Sequence, residues 1–220
     1  MASDSPQARR NSWSLPGFLA DPRVDRTVAV IASLPTAYLI YWRLRQGTLD
    51  IVRINLILQS LLLIATMVAR RPPVRVTLNP WFWLLAFVAT YWIVFSALAA
   101  PAGTPVAPRW LILALSWLGL LIAVYARLSL GRNIGFVPAQ RQIVTTGAYG
   151  FVRHPIYTAA FVNYVALLLL RYSRGTAILV ALGIFWFLLK SVIEERFLRT
   201  DPDYSAYMAR VRRRWIPGVL

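Results

Sequence analysis

Six long apolar blocks, separated by short basic segments, limit this chain's fold more than any other feature. They run over 27–42, 54–69, 80–100, 110–126, 155–170 and 176–189. Backbone polar groups in lipid must be satisfied inside their own segment, so such blocks are expected to be helices. Several blocks are shorter than the ~20 residues of a complete span, and Trp, Tyr and Arg at their ends are expected to reach the interfaces. The sequence therefore predicts an all-α membrane protein with about six transmembrane helices.

Basic residues are unevenly distributed between the segments that flank these blocks. With six spans, both termini and the loops near 70–79 and 127–154 share one side of the membrane. That side carries 18 of the 24 Lys and Arg residues, and the opposite loops carry 6. Because positively charged loops stay in the cytoplasm, both termini and the long loop are expected to face it. We expect a multi-pass protein of a bacterial inner membrane.

The chain is predicted to form one unit with three consecutive parts. Residues 1–26 form a polar cytosolic tail, and 27–126 supply four transmembrane helices. Residues 127–220 form a third part made of a cytosolic loop, a helical hairpin and a C-terminal cytosolic helix. Only 171–175 join the last two blocks, which makes those blocks an antiparallel hairpin. The two cytosolic ends of the hairpin are therefore expected to meet.

Composition argues against several classes of function. The net charge is +16, but the basic residues are spread between apolar blocks instead of forming one stripe, which disfavours nucleic-acid binding. The chain has no Cys and a single His, which disfavours disulfides and metal sites. No short apolar core with a cleavage site precedes the first block, so no signal peptide is expected. The six blocks contain no internal charge, which disfavours an ion-coupled transporter.

The scarcest residue types converge on the cytosolic ends of the hairpin. His154 is the sole His, Lys190 the sole Lys, and Glu194 and Glu195 are the only Glu residues. Lys190 and Glu194 are four residues apart and share a helix face, so a cation and a carboxylate can reach one cavity. Such a pocket suits a zwitterionic ligand.

Each of these residues also has a structural interpretation. Lys190 and Glu194 have the spacing of an ordinary ion pair on a helix surface. His154 could cap the helix that Pro155 begins, because proline favours the first helical position. Arg153 could contact lipid phosphates.

Four motifs follow one another in the C-terminal part of the chain. They are QIVTTGAYGFVRHPIY over 142–157, Glu194-Glu195 after the hairpin, Tyr204-x-x-Tyr207, and Trp215-Ile-Pro217. In this order they resemble the integral membrane methyltransferases of the isoprenylcysteine carboxyl methyltransferase type and the related phospholipid N-methyltransferases. The resemblance covers residues 131–217.

The resemblance implies a cytosol-facing pocket for S-adenosylmethionine and a lipophilic substrate that enters from the bilayer. The chain lacks the GxGxxG fingerprint of soluble dinucleotide-binding domains, which agrees with a pocket built without a Rossmann fold. The implied cofactor-binding residues are Arg141, Gln142, Ile143, Val144, Tyr149, His154, Pro155, Tyr157 and Glu194. The implied catalytic residues are Lys190, Glu194 and Arg153. Lys190 stands where the carboxyl methyltransferases have an arginine that grips the substrate carboxylate.

The sequence leaves two chemistries for the methyl acceptor, a carboxylate or an amine. A carboxylate needs no base, and Lys190 with Arg153 would orient it. An amine must first lose a proton, for which Glu194, Glu195 or His154 are candidates. The sequence favours the carboxylate of an isoprenylcysteine-like or other lipid. The alternatives are a phospholipid, amine or thiol methyltransferase, a dinucleotide-dependent membrane reductase, and a non-catalytic membrane protein; the sequence does not indicate the oligomeric state.

Overall fold

The computed structural model describes residues 22–45, 51–73, 75–77, 79–99, 101–135 and 139–216. Within these ranges the chain forms seven α-helices and one 3-10 helix, Gly147–Gly150. The α-helices are α1 (Pro22–Arg45), α2 (Ile51–Val68), α3 (Pro80–Ala99), α4 (Arg109–Leu130), α5 (Pro155–Leu170), α6 (Arg174–Leu198) and α7 (Pro202–Arg210). Most of the predicted tail, residues 1–21, and Pro217 of the last motif lie outside the described residues.

The helices agree with the six apolar blocks and extend beyond them. Three are long and apolar enough to cross a membrane, namely α1 from Arg23, α4 and α6. Shorter apolar helical stretches run over Ile54–Val68, Pro80–Ile93 and Pro155–Leu170. Since α6 continues to Leu198, the polar residues that follow the sixth block belong to the helix.

The first helix begins inside the predicted tail. Proline is favourable at the first helical position, and Asp25 in the first turn complements the positive end of the helix dipole. Arg70, just after α2, donates to both Asp25 carboxylate oxygens, at 2.8 and 3.0 Å. This ion pair joins the start of α1 to the end of α2.

The loops pair with each other at both ends of the bundle. At one end, β1 (Arg75–Val76) and β2 (Ala139–Gln140) form a two-residue antiparallel sheet, which the all-α prediction did not include. At the other end, the backbones of Thr104 and Tyr172 exchange hydrogen bonds of 3.2 and 3.0 Å. The α2–α3 loop thus meets the α4–α5 loop, and the α3–α4 loop meets the α5–α6 loop, as helices that alternate in direction require.

A buried polar layer sets the register of α2, α4 and α5. Asn163 donates to the Ala159 carbonyl at 2.8 Å, and Gln59 donates to Asn163 Oδ1 at 2.9 Å and to Asn55 Oδ1 at 2.6 Å. Gly119 of α4 makes room for this layer, because a Cβ there would lie 2.3 Å from Asn163 Nδ2. Polar groups between apolar helices need partners, so this layer favours one alignment of the three helices.

A buried charge cluster joins the ends of α5 and α6 to the C-terminal segment. Arg153 donates to Glu195 Oε1 through Nε at 2.7 Å and to Oε2 through Nη2 at 3.3 Å. Arg214 Nε lies 3.1 Å from Oε2, and His154 Nε2 lies 3.1 Å from Oε1. The Glu195 side chain is only 2% exposed, so these partners replace the water that the carboxylate gives up.

The same end of α5 also holds the backbone of residues 211–214. Nη1 of Arg153 donates to the first two carbonyls of this segment, both at 2.8 Å. The N–H groups of Arg153 and His154 donate to the next two carbonyls, at 2.9 and 2.8 Å. Arg153 is therefore the residue on which the C-terminal segment is anchored.

Replacing Gly119 by Ala is expected to lower stability by about 1–3 kcal/mol, the usual cost of overpacking a close contact. The new methyl group would displace the Asn163 amide and break its bond to Gln59. Thermal melting in detergent measures the effect. Leu118→Ala is the control, because Leu118 is exposed on the same helix. An unchanged melting temperature for Gly119→Ala would show that the polar layer does not set the register.

Replacing Arg153 by Gln is expected to lower stability by about 3 kcal/mol or more, because it leaves Glu195 buried with too few partners. Residues 211–214 should also become accessible, which faster tryptic cleavage after Arg213 would report. Arg212→Gln is the matched control: the Arg212 side chain is exposed, and only its backbone carbonyl joins the anchor. Equal melting and cleavage for both variants would contradict the anchoring role.

Candidate active site

A cavity of about 330 Å³ lies between the helices, and it extends from the β2 end of the bundle to α1 and α2. Every predicted site residue except Pro155 lines it. Pro155 is buried at the first position of α5 and does not line the cavity. The predicted site residues that line it are Arg141, Gln142, Ile143, Val144, Tyr149, Arg153, His154, Tyr157, Lys190 and Glu194.

Glu194 is at the centre of the polar part of the cavity wall. The Tyr157 hydroxyl donates to Glu194 Oε2 at 2.6 Å, and His154 Nδ1 lies 4.0 Å from the same oxygen. Lys190 Nζ lies 3.8 Å from Glu194 Oε1 and donates to Thr90 Oγ1 at 3.3 Å. Lys190 is buried, so it and Glu194 form a pair inside the cavity and not on a helix surface.

Two cationic or potentially cationic groups lie against the ring of Tyr157. The His154 ring stacks on it with 5.1 Å between centroids and 7° between planes. Lys190 Nζ lies 5.6 Å from the ring centroid. The His154 side chain makes no capping hydrogen bond to α5. Its position is set by Tyr157 and Glu195 instead.

Arg153 and Glu195 have partners other than those considered from the sequence. Arg153 is buried and lines the cavity, but its guanidinium donates to Glu195 and to two backbone carbonyls. Its guanidinium nitrogens therefore donate to protein groups. Glu195, a candidate base in the sequence, does not line the cavity.

The segment over 141–144 is fixed through its first two side chains. Arg141 Nε donates to the Arg71 carbonyl at 2.7 Å, and Arg71 donates to Gln142 Oε1 at 3.2 Å. Burial and the nearby charge of Arg70 lower the pKa of Arg141 to about 10, and Asp25 opposes this shift. Arg141 thus stays protonated at neutral pH.

Helix α7 contributes two tyrosines to the wall of the cavity. Tyr204 and Tyr207 line it, and the Tyr207 hydroxyl donates to the Tyr149 carbonyl at 2.8 Å. Asp201 caps the helix by accepting from the Asp203 N–H at 2.8 Å, so the Asp-Pro-Asp sequence starts α7. Burial raises the pKa of both tyrosines above the ordinary value. Their hydroxyls therefore remain protonated and can donate hydrogen bonds.

Three buried polar atoms of the cavity wall have no hydrogen-bond partner in the described part of the chain. They are Nε of Arg127, Oδ1 of Asn133 and Nη1 of Arg141. Buried polar atoms without a protein partner are rare, and a bound ligand or ordered water can satisfy them. S-adenosylmethionine carries a carboxylate, an ammonium group and ribose hydroxyls, so two donors and one acceptor fit it. Sequence reasoning missed Arg127 and Asn133, although Arg127 directly follows the fourth apolar block.

A comparison with known protein families finds a match in the C-terminal half of the chain. The model of the phospholipid methyltransferase family matches residues 109–201, which include α4, the 3-10 helix, α5 and α6. No curated protein matches the chain. The match begins before the segment singled out from the sequence and ends before Tyr204. Over residues 109–201 the chain is similar to the phospholipid methyltransferase family, and the protein is a multi-pass membrane methyltransferase that uses S-adenosylmethionine and acts on a lipid substrate.

Proposed function

We propose that this protein methylates an amine on a lipid inside the cavity, with Glu194 as the group that receives the acceptor. The observation that carries the proposal is the Glu194 carboxylate, which lines the cavity and is oriented by the Tyr157 hydroxyl at 2.6 Å. A carboxylate in this position attracts an ammonium group. The match to the phospholipid methyltransferase family supports a lipid acceptor.

The proposal also includes the arrangement of the helices in the membrane. Each of α1–α6 crosses the bilayer, and residues 127–220 form the catalytic region. The end of the bundle that carries β1 and β2 faces the cytoplasm together with both termini. The support is the excess of basic residues on that side, 18 of 24. The acceptor then enters the cavity from the bilayer.

The cofactor occupies the part of the cavity near the β2 end. Arg127, Asn133 and Arg141 would bind its polar groups, with 142–144, Tyr149, His154 and Tyr157 around it. When bound, S-adenosylmethionine supplies a methyl group that is already activated on a sulfonium. The protein's own contribution is therefore to align the acceptor and to exclude water. Tyr149 and Tyr207 of α7 are both buried, which is consistent with a closed site.

The pairing of Lys190 favours an amine over a carboxylate. From the sequence alone, Lys190 would grip an acceptor carboxylate. In the structure its ammonium lies 3.8 Å from Glu194, so a second carboxylate would meet the negative charge of Glu194. An ammonium acceptor instead transfers its proton to Glu194, directly or through water, and keeps the lone pair for the new bond. His154, at 4.0 Å, is the second candidate to take the proton.

Arg153 acts in this proposal as a positioning residue. Its guanidinium holds Glu195 and the backbone of 211–214. It thereby fixes the end of α6, from which Glu194 projects into the cavity. Pro155 has a comparable role, since it starts α5 directly after His154.

Replacing Glu194 by Gln or His154 by Ala is expected to weaken S-adenosylmethionine binding at least tenfold, about 1.4 kcal/mol. Both changes alter the polar wall around the proposed cofactor site. Titration calorimetry on detergent-purified protein measures the effect, and thermal melting confirms the fold of each variant. Asp203→Asn, an exposed carboxylate outside the cavity, should bind as the wild type does. If both cavity variants bind normally, the cofactor does not occupy this cavity.

Methyl label from the cofactor should enter the lipid fraction in a base-stable form, because an N-methyl group is not hydrolysed by alkali. The Glu194→Gln variant should lose methyl transfer near neutral pH. It should regain part of that transfer as the pH rises towards the pKa of the acceptor, since more amine is then already deprotonated. A base-labile product would instead identify a methyl ester and a carboxylate acceptor. Loss without recovery at high pH would exclude Glu194 as the base.

A further inference from the structure

A buried arginine lies at the other end of the cavity, far from the proposed cofactor site along the chain. Arg43, in the last turn of α1, is only 7% exposed and lines the cavity. Its Nη1 donates to the Leu56 carbonyl at 3.3 Å and to Ser60 Oγ at 3.4 Å. We call this region the deep arm; it is lined by Leu39, Arg43, Leu56, Gln59, Ser60 and Leu63.

The partners of Arg43 leave its charge uncompensated. Both acceptors are neutral oxygens, and neither distance is short. No carboxylate in the described part of the chain pairs with Arg43, and its Nε and Nη2 make no hydrogen bond there. Arg70 and Arg153, which are equally buried, each have a carboxylate partner within 3 Å. Arg43 therefore differs from them in having no carboxylate partner among the described residues.

Because the Arg43 guanidinium lies deep in the bundle, leaving its charge without a carboxylate partner is unfavourable in free energy. Ser60 lies nine residues after the first residue of α2, which at 1.5 Å per residue is about 13 Å along the helix. Ionisable side chains at such depth generally face a ligand pathway or a partner. Arg45 shows the alternative: it is exposed, and its Nη1 donates to the Tyr41 hydroxyl at 2.9 Å. Arg43 is turned inwards, towards the cavity.

We propose that Arg43 binds the phosphate of a lipid that occupies the deep arm. The planar guanidinium presents a fork of donors that matches phosphate oxygens, and Nε and Nη2 can both donate to it. Leu39, Leu56 and Leu63 offer apolar surface for a lipid chain, and Ser60 and Gln59 offer further polar contacts. The inference rests on the proposed function in assigning this lipid as the acceptor. It adds Arg43 as the residue that binds the anionic group of this acceptor.

The test compares lipid retention by the wild type and by variants at two arginines in the last turn of α1. Wild type, Arg43→Gln, Arg43→Lys and Arg45→Gln are purified in detergent. Each is equilibrated with equal amounts of dioleoyl phosphatidic acid and dioleoylglycerol, and the retained lipid is quantified by native mass spectrometry. We expect the wild type and Arg45→Gln to retain phosphatidic acid at least tenfold more than dioleoylglycerol. Arg43→Gln should lose this preference, and Arg43→Lys, which keeps the charge without the fork, should retain part of it.

Three results would overturn the assignment. One is equal retention of both lipids by the wild type, and another is a preference that survives in Arg43→Gln. The third is displacement of phosphatidic acid by millimolar inorganic phosphate, which would identify a soluble anion as the ligand. If Arg43→Gln does not fold, the other two variants still test the assignment. It is refuted if Arg43→Lys keeps the full wild-type preference for phosphatidic acid while Arg45→Gln loses that preference.

S-adenosylmethionine binding is measured on the same samples to separate this inference from the proposed function. Arg43 lies outside the proposed cofactor site, so all four proteins should bind the cofactor alike. Cofactor binding without a lipid preference would refute the deep-arm site and leave the proposed function standing. A lipid preference without cofactor binding would refute the proposed function and leave Arg43 as an anion site.

Discussion

The Glu195 carboxylate interacts with Arg153, His154 and Arg214, which belong to two segments far apart in the sequence. A charge that is removed from water needs all its partners, because each lost partner leaves an uncompensated group in a low-dielectric interior. The cluster therefore fixes the end of α6, the start of α5 and residues 211–214 relative to one another. Glu194 precedes Glu195, and neighbours on a helix differ in direction by about 100°. The anchored Glu195 thus determines where Glu194 points, and Glu194 faces the cavity.

The sequence predicted the helical architecture because its physical basis is local. Six apolar blocks are helical in the structure, and the short connection after Leu170 places α5 beside α6. The rarity of His, Lys and Glu also located the polar wall, since these types are costly among apolar helices and persist where they have partners or ligands. The resemblance to membrane methyltransferases is confirmed by the family match over 109–201. The roles of individual residues remain predictions.

Features that depend on pairing between distant segments could not be predicted. An apolar block ends at its first charge, but a helix does not have to. Helix α6 continues through Lys190 and Glu194 because each has a partner inside the bundle. Arg43 directly follows the first apolar block in the sequence. Only the fold shows that its guanidinium turns inwards. The β1–β2 pairing joins loops more than sixty residues apart, and no local pattern indicates such a contact.

Taken together, the charges along the cavity wall restrict the net charge of the ligands that the cavity can hold. Lys190 and Glu194 nearly cancel each other, and Asp25 partly offsets Arg141. Arg43 and Arg127 add positive charge for which no carboxylate of the described residues compensates. S-adenosylmethionine brings a further cationic sulfonium, so a neutral lipid would leave the filled cavity strongly positive. A lipid with an anionic group reduces this repulsion in a medium where water cannot screen it. The electrostatics thus favour an anionic or zwitterionic acceptor over a purely neutral amine.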